Sequence, residues 1–86
     1  MSIKIENILA EVNQEVMTAH AQYPDMNSAH EGYAVLLEEV DELWDEVKVK
    51  QSNRSCESMR KEAIQVAAMA CRFVLDICDK EGKYNV

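Results

Sequence analysis

Apolar residues recur every three or four positions in three segments of the chain, and this spacing predicts three amphipathic helices. The segments are 5–23, 29–50 and 58–79. Pro24 is expected to end the first helix, and the polar segment 51–57 is the predicted loop between the second and the third. The chain has one Pro, two Gly and no run of alternating β-branched residues. We therefore predict an all-α fold built on a three-helix protomer.

Polar residues mark where the second and third helices begin. Ser28 is a suitable N-cap, and Glu31 stands at the N3 position that completes a capping box. Ser55 and Ser58 are the candidate N-caps of the third helix.

Two opposed stripes divide the second helix when its residues are placed at about 100° per residue. The apolar stripe, which we predict to face the core, is Leu36, Val40, Leu43, Trp44 and Val47. The acidic stripe is Glu38, Glu39, Glu42 and Glu46. Carboxylates three and four residues apart repel one another, and a divalent cation would relieve that repulsion. A solvated acidic face is the alternative interpretation.

The third helix is apolar nearly all round, which predicts packing on more than one side and a partner subunit. One polar line interrupts it, formed by Glu62, Gln65, Met69, Arg72 and Asp76. A buried carboxylate needs a partner, and Glu62 could share a cation with the acidic stripe. In the alternative interpretation, Arg72 pairs with Asp76 four residues away, and Glu62 is exposed at the start of the helix.

Length and charge limit the classes of function. A chain of 86 residues forms one domain, 1–86, whose small core favours homo-oligomerisation. The net charge of −7 argues against a nucleic acid polymer or an anionic membrane as a partner. No Lys or Arg occurs in 5–47, and every basic residue except Lys4 follows that segment. The acidic half is suited to metal and the basic half to anions.

The three cysteines are an odd number without CxxC spacing, so neither a disulfide framework nor a zinc site is predicted. Cys71 and Cys78 are one heptad apart in an apolar run and are expected to be buried and reduced. The first residues lack the apolar core and cleavage site of a secretory signal, and no apolar run is long enough to span a bilayer. We expect a cytoplasmic protein.

Two acidic motifs carry a resemblance to a known family. Glu38-Glu39-x-x-Glu42, within HEGYAVLLEEVDELWDEV, is followed after the loop by Glu62-x-x-Gln65 on an Ala-rich helix. The pair resembles the EExxE and ExxD signature of the MazG-like superfamily, the all-α nucleoside triphosphate pyrophosphohydrolases. The resemblance covers about residues 28–79. Gln65 departs from it, because the family has an aspartate there.

The resemblance implies a helical bundle that assembles as a homodimer or homotetramer. It also implies hydrolysis of a deoxynucleoside or ribonucleoside triphosphate to the monophosphate and pyrophosphate. The cofactor would be Mg2+, with Mn2+ as a second choice. Cleaning of the nucleotide pool is one role compatible with this activity.

The family roles are carried over residue by residue. Glu39, Glu42 and Glu62 would be metal ligands, and Glu38 would bind a second metal or orient the attacking water. The amide oxygen of Gln65 can bind Mg2+ but brings no charge. The candidates for binding phosphate are Lys48, Lys50, Arg54, Lys61 and Arg72.

Two other classes of function fit the same residues. One is a non-catalytic helical-bundle interaction module, and the other is a sensor that binds nucleotide or metal without turnover. No motif indicates a preferred base or sugar. Tyr33 and Trp44 are predicted to be core or interface aromatics rather than base-stacking residues.

Overall fold

A computed structural model describes residues 2–80 of the chain, which form three α-helices. These are α1 (Ser2–Gln22), α2 (Ala29–Val47) and α3 (Cys56–Phe73). A short 3₁₀ turn, Gln51–Asn53, lies between α2 and α3, and a π-helical turn, Val74–Cys78, extends α3. No strand occurs within residues 2–80, so the all-α prediction is confirmed for this part of the chain. Within it, no helix combines the length and the apolarity needed to cross a membrane.

The helix starts follow the predicted caps with one difference. The Ser28 hydroxyl accepts a hydrogen bond from the Glu31 N–H at 3.0 Å, as expected of an N-cap. The Glu31 carboxylate, however, accepts from the Asn27 N–H at 3.0 Å, so the return bond of the capping box is displaced by one residue. Ser55 caps α3, because its hydroxyl accepts from the Ser58 N–H at 3.1 Å.

Helix α3 is the centre of the fold, since it packs against both α1 and α2. The prediction that it packs on more than one side is therefore confirmed. The buried apolar core is formed by Val12, Val16, Ala19, Met26, Ile64, Ala68 and Met69. Helix α1 packs on α3 through its second half, while Ile5, Ile8 and Leu9 in its first half are exposed.

Gly32 lets α2 approach α3 closely. A Cβ atom at this position would lie 2.6 Å from Cδ2 of Phe73 and 3.2 Å from Sδ of Met26. Both distances are shorter than ordinary van der Waals contact, so a larger residue would push the helices apart.

The predicted core face of α2 is wrong at two positions. Val40 and Trp44 are 40% and 58% exposed, whereas Leu36, Leu43 and Val47 are half-buried. The apolar arc of α2 is wider than the surface that one neighbouring helix covers, so α3 covers only one flank of it. The outward flank carries Tyr33, Leu37, Val40 and Trp44, all of them exposed.

The predicted burial of two cysteines is also wrong. Cys71 and Cys78 are exposed, as is Cys56, and all three are free thiols. The reason is again that few helices pack around α3. Helices α1 and α2 contact it, and the cysteines lie on sides of α3 and of its π-helical extension that neither helix covers.

Candidate metal centre and adjoining cavity

Three carboxylates, two on α2 and one on α3, converge where these two helices face each other. Glu39 and Glu42 on α2 and Glu62 on α3 each offer an oxygen that lies within 4.8 Å of the others. Glu42 stands roughly one and a half turns before the end of α2, and Glu62 roughly one and a half turns after the start of α3. The short connection between the helices therefore brings these residues level. The structure thus joins the two acidic motifs at one place.

The cluster carries uncompensated negative charge. Burial raises the pKa of Glu39 to about 7. The hydrogen bond that the protonated Glu39 carboxyl donates to Glu42, and the charges of Glu42, Glu62 and Glu38, act in the same direction. None of the ion pairs found within residues 2–80 includes any of these four glutamates. A cation placed among the oxygens would stabilise the ionised carboxylate against both burial and repulsion, and so would lower this pKa.

The donor set fits Mg2+ or Mn2+. Both ions prefer oxygen ligands, and Mg2+ in particular binds through a few carboxylates while keeping several water molecules. Glu42 is exposed and Glu39 and Glu62 are half-buried, so the cluster is open to solvent and to phosphate oxygens. We conclude that the chemistry of these residues suits a divalent cation with open coordination positions.

Gln65 makes a hydrogen bond to α1 that was not predicted from the sequence. Its side-chain nitrogen donates a hydrogen bond to Oε2 of Glu15 on α1, at 2.8 Å. Glu15 interrupts the buried apolar stripe of α1, where it stands beside Val16 and Ala19 on the helix surface. A carboxylate inside an apolar stripe was the signal that could have identified it.

The far end of the polar line on α3 forms a buried ion pair. Arg72 and Asp76 are 4% and 2% exposed, and Nη2 of Arg72 lies 3.5 Å from Oδ2 of Asp76. Nη2 also donates to the Pro24 carbonyl at 2.9 Å, and the Met26 N–H donates to Asp76 at 3.0 Å. The Arg72–Asp76 pairing is confirmed, and it ties α3 to the loop between α1 and α2.

A second cluster of potential metal ligands surrounds Asp76. Atoms of His20, Asp25 and Asp76 lie within 4.8 Å of one another. Lys80 pairs with Asp25 and lowers the pKa of that carboxyl, first through a hydrogen bond and then through its charge, while Arg72 pairs with Asp76. The protein's own cations thus neutralise this cluster, in contrast to the one around Glu39.

The five predicted phosphate-binding residues do not meet at one point. Lys48 pairs with Asp45 at 3.0 Å, and Nε of Arg54 donates to the Val47 carbonyl at 2.8 Å, both near the connection between α2 and α3. Lys50 in that connection and Lys61 beside Glu62 are exposed. Arg72 stands about 15 Å along α3 from Glu62.

A cavity of about 570 Å³ adjoins the carboxylates. Glu38, Glu39, Glu15 and Gln65 line it, together with residues of all three helices and of the loop after α1. The further lining includes the apolar Val35, Met26 and Met69 and the polar Thr18, Gln22, Tyr23 and Arg72. Its volume is typical of small-molecule sites. This cavity could not be predicted from the sequence, because its walls come from separate segments of the chain.

Comparison with known proteins supplies no relative. No family model, no curated protein and no solved structure matches the chain. The functional assignment therefore depends on the geometry of the carboxylates and the cavity and on the resemblance of the two motifs.

Proposed function

We propose that this chain is a Mg2+-dependent nucleoside triphosphate pyrophosphohydrolase of the MazG-like type. One observation carries the proposal. Glu39 and Glu42 of α2 and Glu62 of α3 each place a carboxylate oxygen within 4.8 Å of the others. None of the three forms an ion pair with a basic residue among the described residues. A solvated acidic face does not require such convergence, because like charges on separate helices are more stable apart.

A few residues would perform the steps of the reaction. Glu39, Glu42 and Glu62 would hold Mg2+, with Gln65 as a further oxygen donor. When bound, the ion neutralises phosphate oxygens and lowers the pKa of a water. Glu38, which is exposed beside Glu39, accepts a proton from the attacking water. The water oxygen bonds to the α-phosphorus, and the bond from that phosphorus to the pyrophosphate oxygen breaks.

The adjoining cavity supports a nucleoside as the rest of the substrate. Its apolar wall of Val35, Met26 and Met69 suits a base, and Thr18 and Gln22 offer polar groups for hydrogen bonds to it. Because Glu38 and Glu39 also line the cavity, a nucleoside bound there would direct its triphosphate toward the carboxylates.

Of the basic candidates, Lys61 is the best placed to bind the outgoing phosphates. It is exposed, directly precedes Glu62 and lines a second groove together with Gln65. Arg60, its neighbour, already forms a salt bridge with Glu11 and is less suited to the role.

We also propose that the protein works as a homodimer or homotetramer. The accessible surface of the protomer is 6452 Å², against about 5,200 Å² for a compact monomer of this mass. Large apolar side chains are exposed on the outward flank of α2 and on the first half of α1. Burial of these surfaces between copies would complete the small core.

The proposal predicts metal-dependent release of pyrophosphate. We would incubate the protein with canonical and modified ribonucleoside and deoxynucleoside triphosphates, with Mg2+, with Mn2+ or with a chelator. We expect release with either metal and none with the chelator. Glu39→Gln should lower the rate at least about 100-fold, because it removes a charged ligand. The matched control is Asp41→Asn, at an exposed position on the same helix and outside the acidic stripe, which should keep the wild-type rate.

The outcomes separate three classes of protein. Pyrophosphate and monophosphate formed together establish the enzyme and show its base preference. Metal-dependent nucleotide binding without release would instead indicate a sensor. A folded protein that neither binds nor hydrolyses any of these nucleotides would contradict the proposal and favour an interaction module.

A further inference from the structure

We propose that Glu15 is a positioning residue for the metal centre. It holds the Gln65 amide so that the carbonyl oxygen, and not the NH2 group, is presented to the cation. The inference rests on the proposed metal site and adds to it a residue from α1, outside both acidic motifs.

The contact that carries the inference joins two half-buried side chains on different helices. The Gln65 side-chain nitrogen donates to Oε2 of Glu15 at 2.8 Å. Gln65 follows Glu62 by three residues on α3, so both side chains lie on the same helix face. Glu15 and Gln65 also line one cavity together with Glu38 and Glu39. The Gln65 amide is thus bonded to the α1 carboxylate and stands on the face of α3 that carries Glu62.

The chemistry of an amide decides which end faces the cation. Nitrogen and oxygen point in different directions from the planar terminal carbon, so a nitrogen engaged by Glu15 leaves the oxygen free to face another group. In the reversed orientation, the amide oxygen would meet the Glu15 carboxylate without a hydrogen between them, and the NH2 group would meet the cation. Both contacts are repulsive, so the hydrogen bond selects the ligating orientation.

Glu15 also contributes charge. It forms no ion pair within residues 2–80, so its negative charge is not cancelled by a basic side chain in that part of the chain. Together, Glu15 and Gln65 supply one oxygen donor and one negative charge. A single carboxylate at position 65 would supply the same pair of properties by itself.

The test is a calorimetric titration of the nucleotide-free protein with Mn2+. We expect Glu15→Ala to weaken Mn2+ binding about tenfold, the size typical of residues that orient a metal ligand. Gln65→Ala should weaken it to a similar extent, and in that background Glu15→Ala should have a smaller further effect, which comes from the loss of its charge alone. Glu6→Ala, which removes an exposed carboxylate from the same helix, is the matched control and should bind Mn2+ as the wild type does.

A double exchange distinguishes positioning from a purely structural role. Glu15→Gln combined with Gln65→Glu keeps a hydrogen bond between the positions and moves the charge to α3, so Mn2+ affinity should return at least to the wild-type value. Equal affinity in Glu15→Ala and wild type would overturn the inference while leaving the metal site intact. A wild-type protein that does not bind Mn2+ would overturn the metal site and the inference together.

Discussion

At the scale of single residues, the ionisation of Glu39 affects both the stability of this protein and its proposed metal binding. It lies on the flank of α2 that meets α3, where burial and three neighbouring carboxylates raise its pKa to about 7. A carboxyl group in that state holds a proton near neutral pH, and the proton must leave before a cation binds. Metal binding and stability are therefore both expected to depend on pH.

The sign of the stability effect follows from the two pKa values. The pKa of Glu39 is 4.5 in its ordinary state and about 7 in the folded protein. At a pH between these two values, Glu39 is mostly protonated in the folded protein and mostly ionised in the unfolded chain. The resulting stabilisation is fully present below the lower value and is lost as pH rises through the higher one. In chelator, the melting temperature of the wild type should fall, relative to that of Glu39→Gln, between about pH 4.5 and about pH 7.5, the interval set by the two pKa values.

The variant serves as the internal control, because it differs from the wild type only in lacking the ionisable carboxyl group of Glu39. Saturating Mg2+ should reduce the difference in slope, since it stabilises the ionised carboxylate. Parallel melting curves for the two proteins in chelator would show that Glu39 is not the group responsible.

At the scale of elements, the close approach of α2 and α3 depends on Gly32. A methyl group there would overlap the Phe73 ring, although alanine is the better helix former by about 1 kcal/mol. We expect Gly32→Ala to lower the free energy of unfolding by about 1–3 kcal/mol, as overpacking does elsewhere. Urea denaturation measures this change.

The control for helix propensity is Ala34→Gly, an exposed position in the same helix. It should cost about 1 kcal/mol by propensity alone. Adding Phe73→Leu to Gly32→Ala should recover part of the loss by providing space. If Gly32→Ala proved stabilising, helix propensity would outweigh the contact with Phe73, and the packing argument would be wrong.

The loop between α1 and α2 is held by the end of α3, through Asp76. This buried carboxylate accepts from the Met26 N–H and faces Arg72, whose Nε has no hydrogen-bond partner among residues 2–80. Asp76→Ala would leave a buried guanidinium with only the Pro24 carbonyl, so we expect a loss of about 3–5 kcal/mol in the free energy of unfolding.

Asp76→Asn keeps an acceptor for Met26 and should lose less stability than Asp76→Ala. Asp41→Ala, at an exposed position on α2, is the control and should change stability by no more than about 0.5 kcal/mol. An equally small effect of Asp76→Ala in urea denaturation would show that the pair does not anchor the loop.

At the scale of the whole molecule, the outward flank of α2 is the main candidate surface for self-association. Tyr33, Leu37, Val40 and Trp44 follow one another at intervals of four, three and four residues, the spacing of a coiled-coil seam. All four are at least 40% exposed in the protomer. This seam lies on the part of α2 that α3 leaves uncovered.

Light scattering tests the assembly. The wild type should have the mass of a dimer or tetramer, and Leu37→Lys with Trp44→Lys should have that of a monomer while keeping its helical circular dichroism. Gln51→Lys with Asn53→Lys, in the connection after α2, adds the same charge at exposed polar positions and should leave the mass unchanged. A monomeric wild type would contradict the proposed assembly.

The sequence by itself determined the local features of this protein. The three helices, the Ser28 cap and the Arg72–Asp76 pair follow from periodicity and from spacings of three and four residues, which are properties of a single helix. The two acidic motifs are likewise visible along the chain, and their separation by a short loop made it reasonable to expect them on adjacent helices.

Only the tertiary structure decided which faces meet. Periodicity gives the width of an apolar stripe but not how many neighbours cover it, so the exposure of Val40, Trp44 and Cys71 could not be predicted. The Glu15–Gln65 hydrogen bond and the cavity beside it join residues far apart in the chain, which no local pattern relates. Contacts of this kind are set by how α1 and α2 pack on α3, because that packing is the first level at which the three helices share a surface.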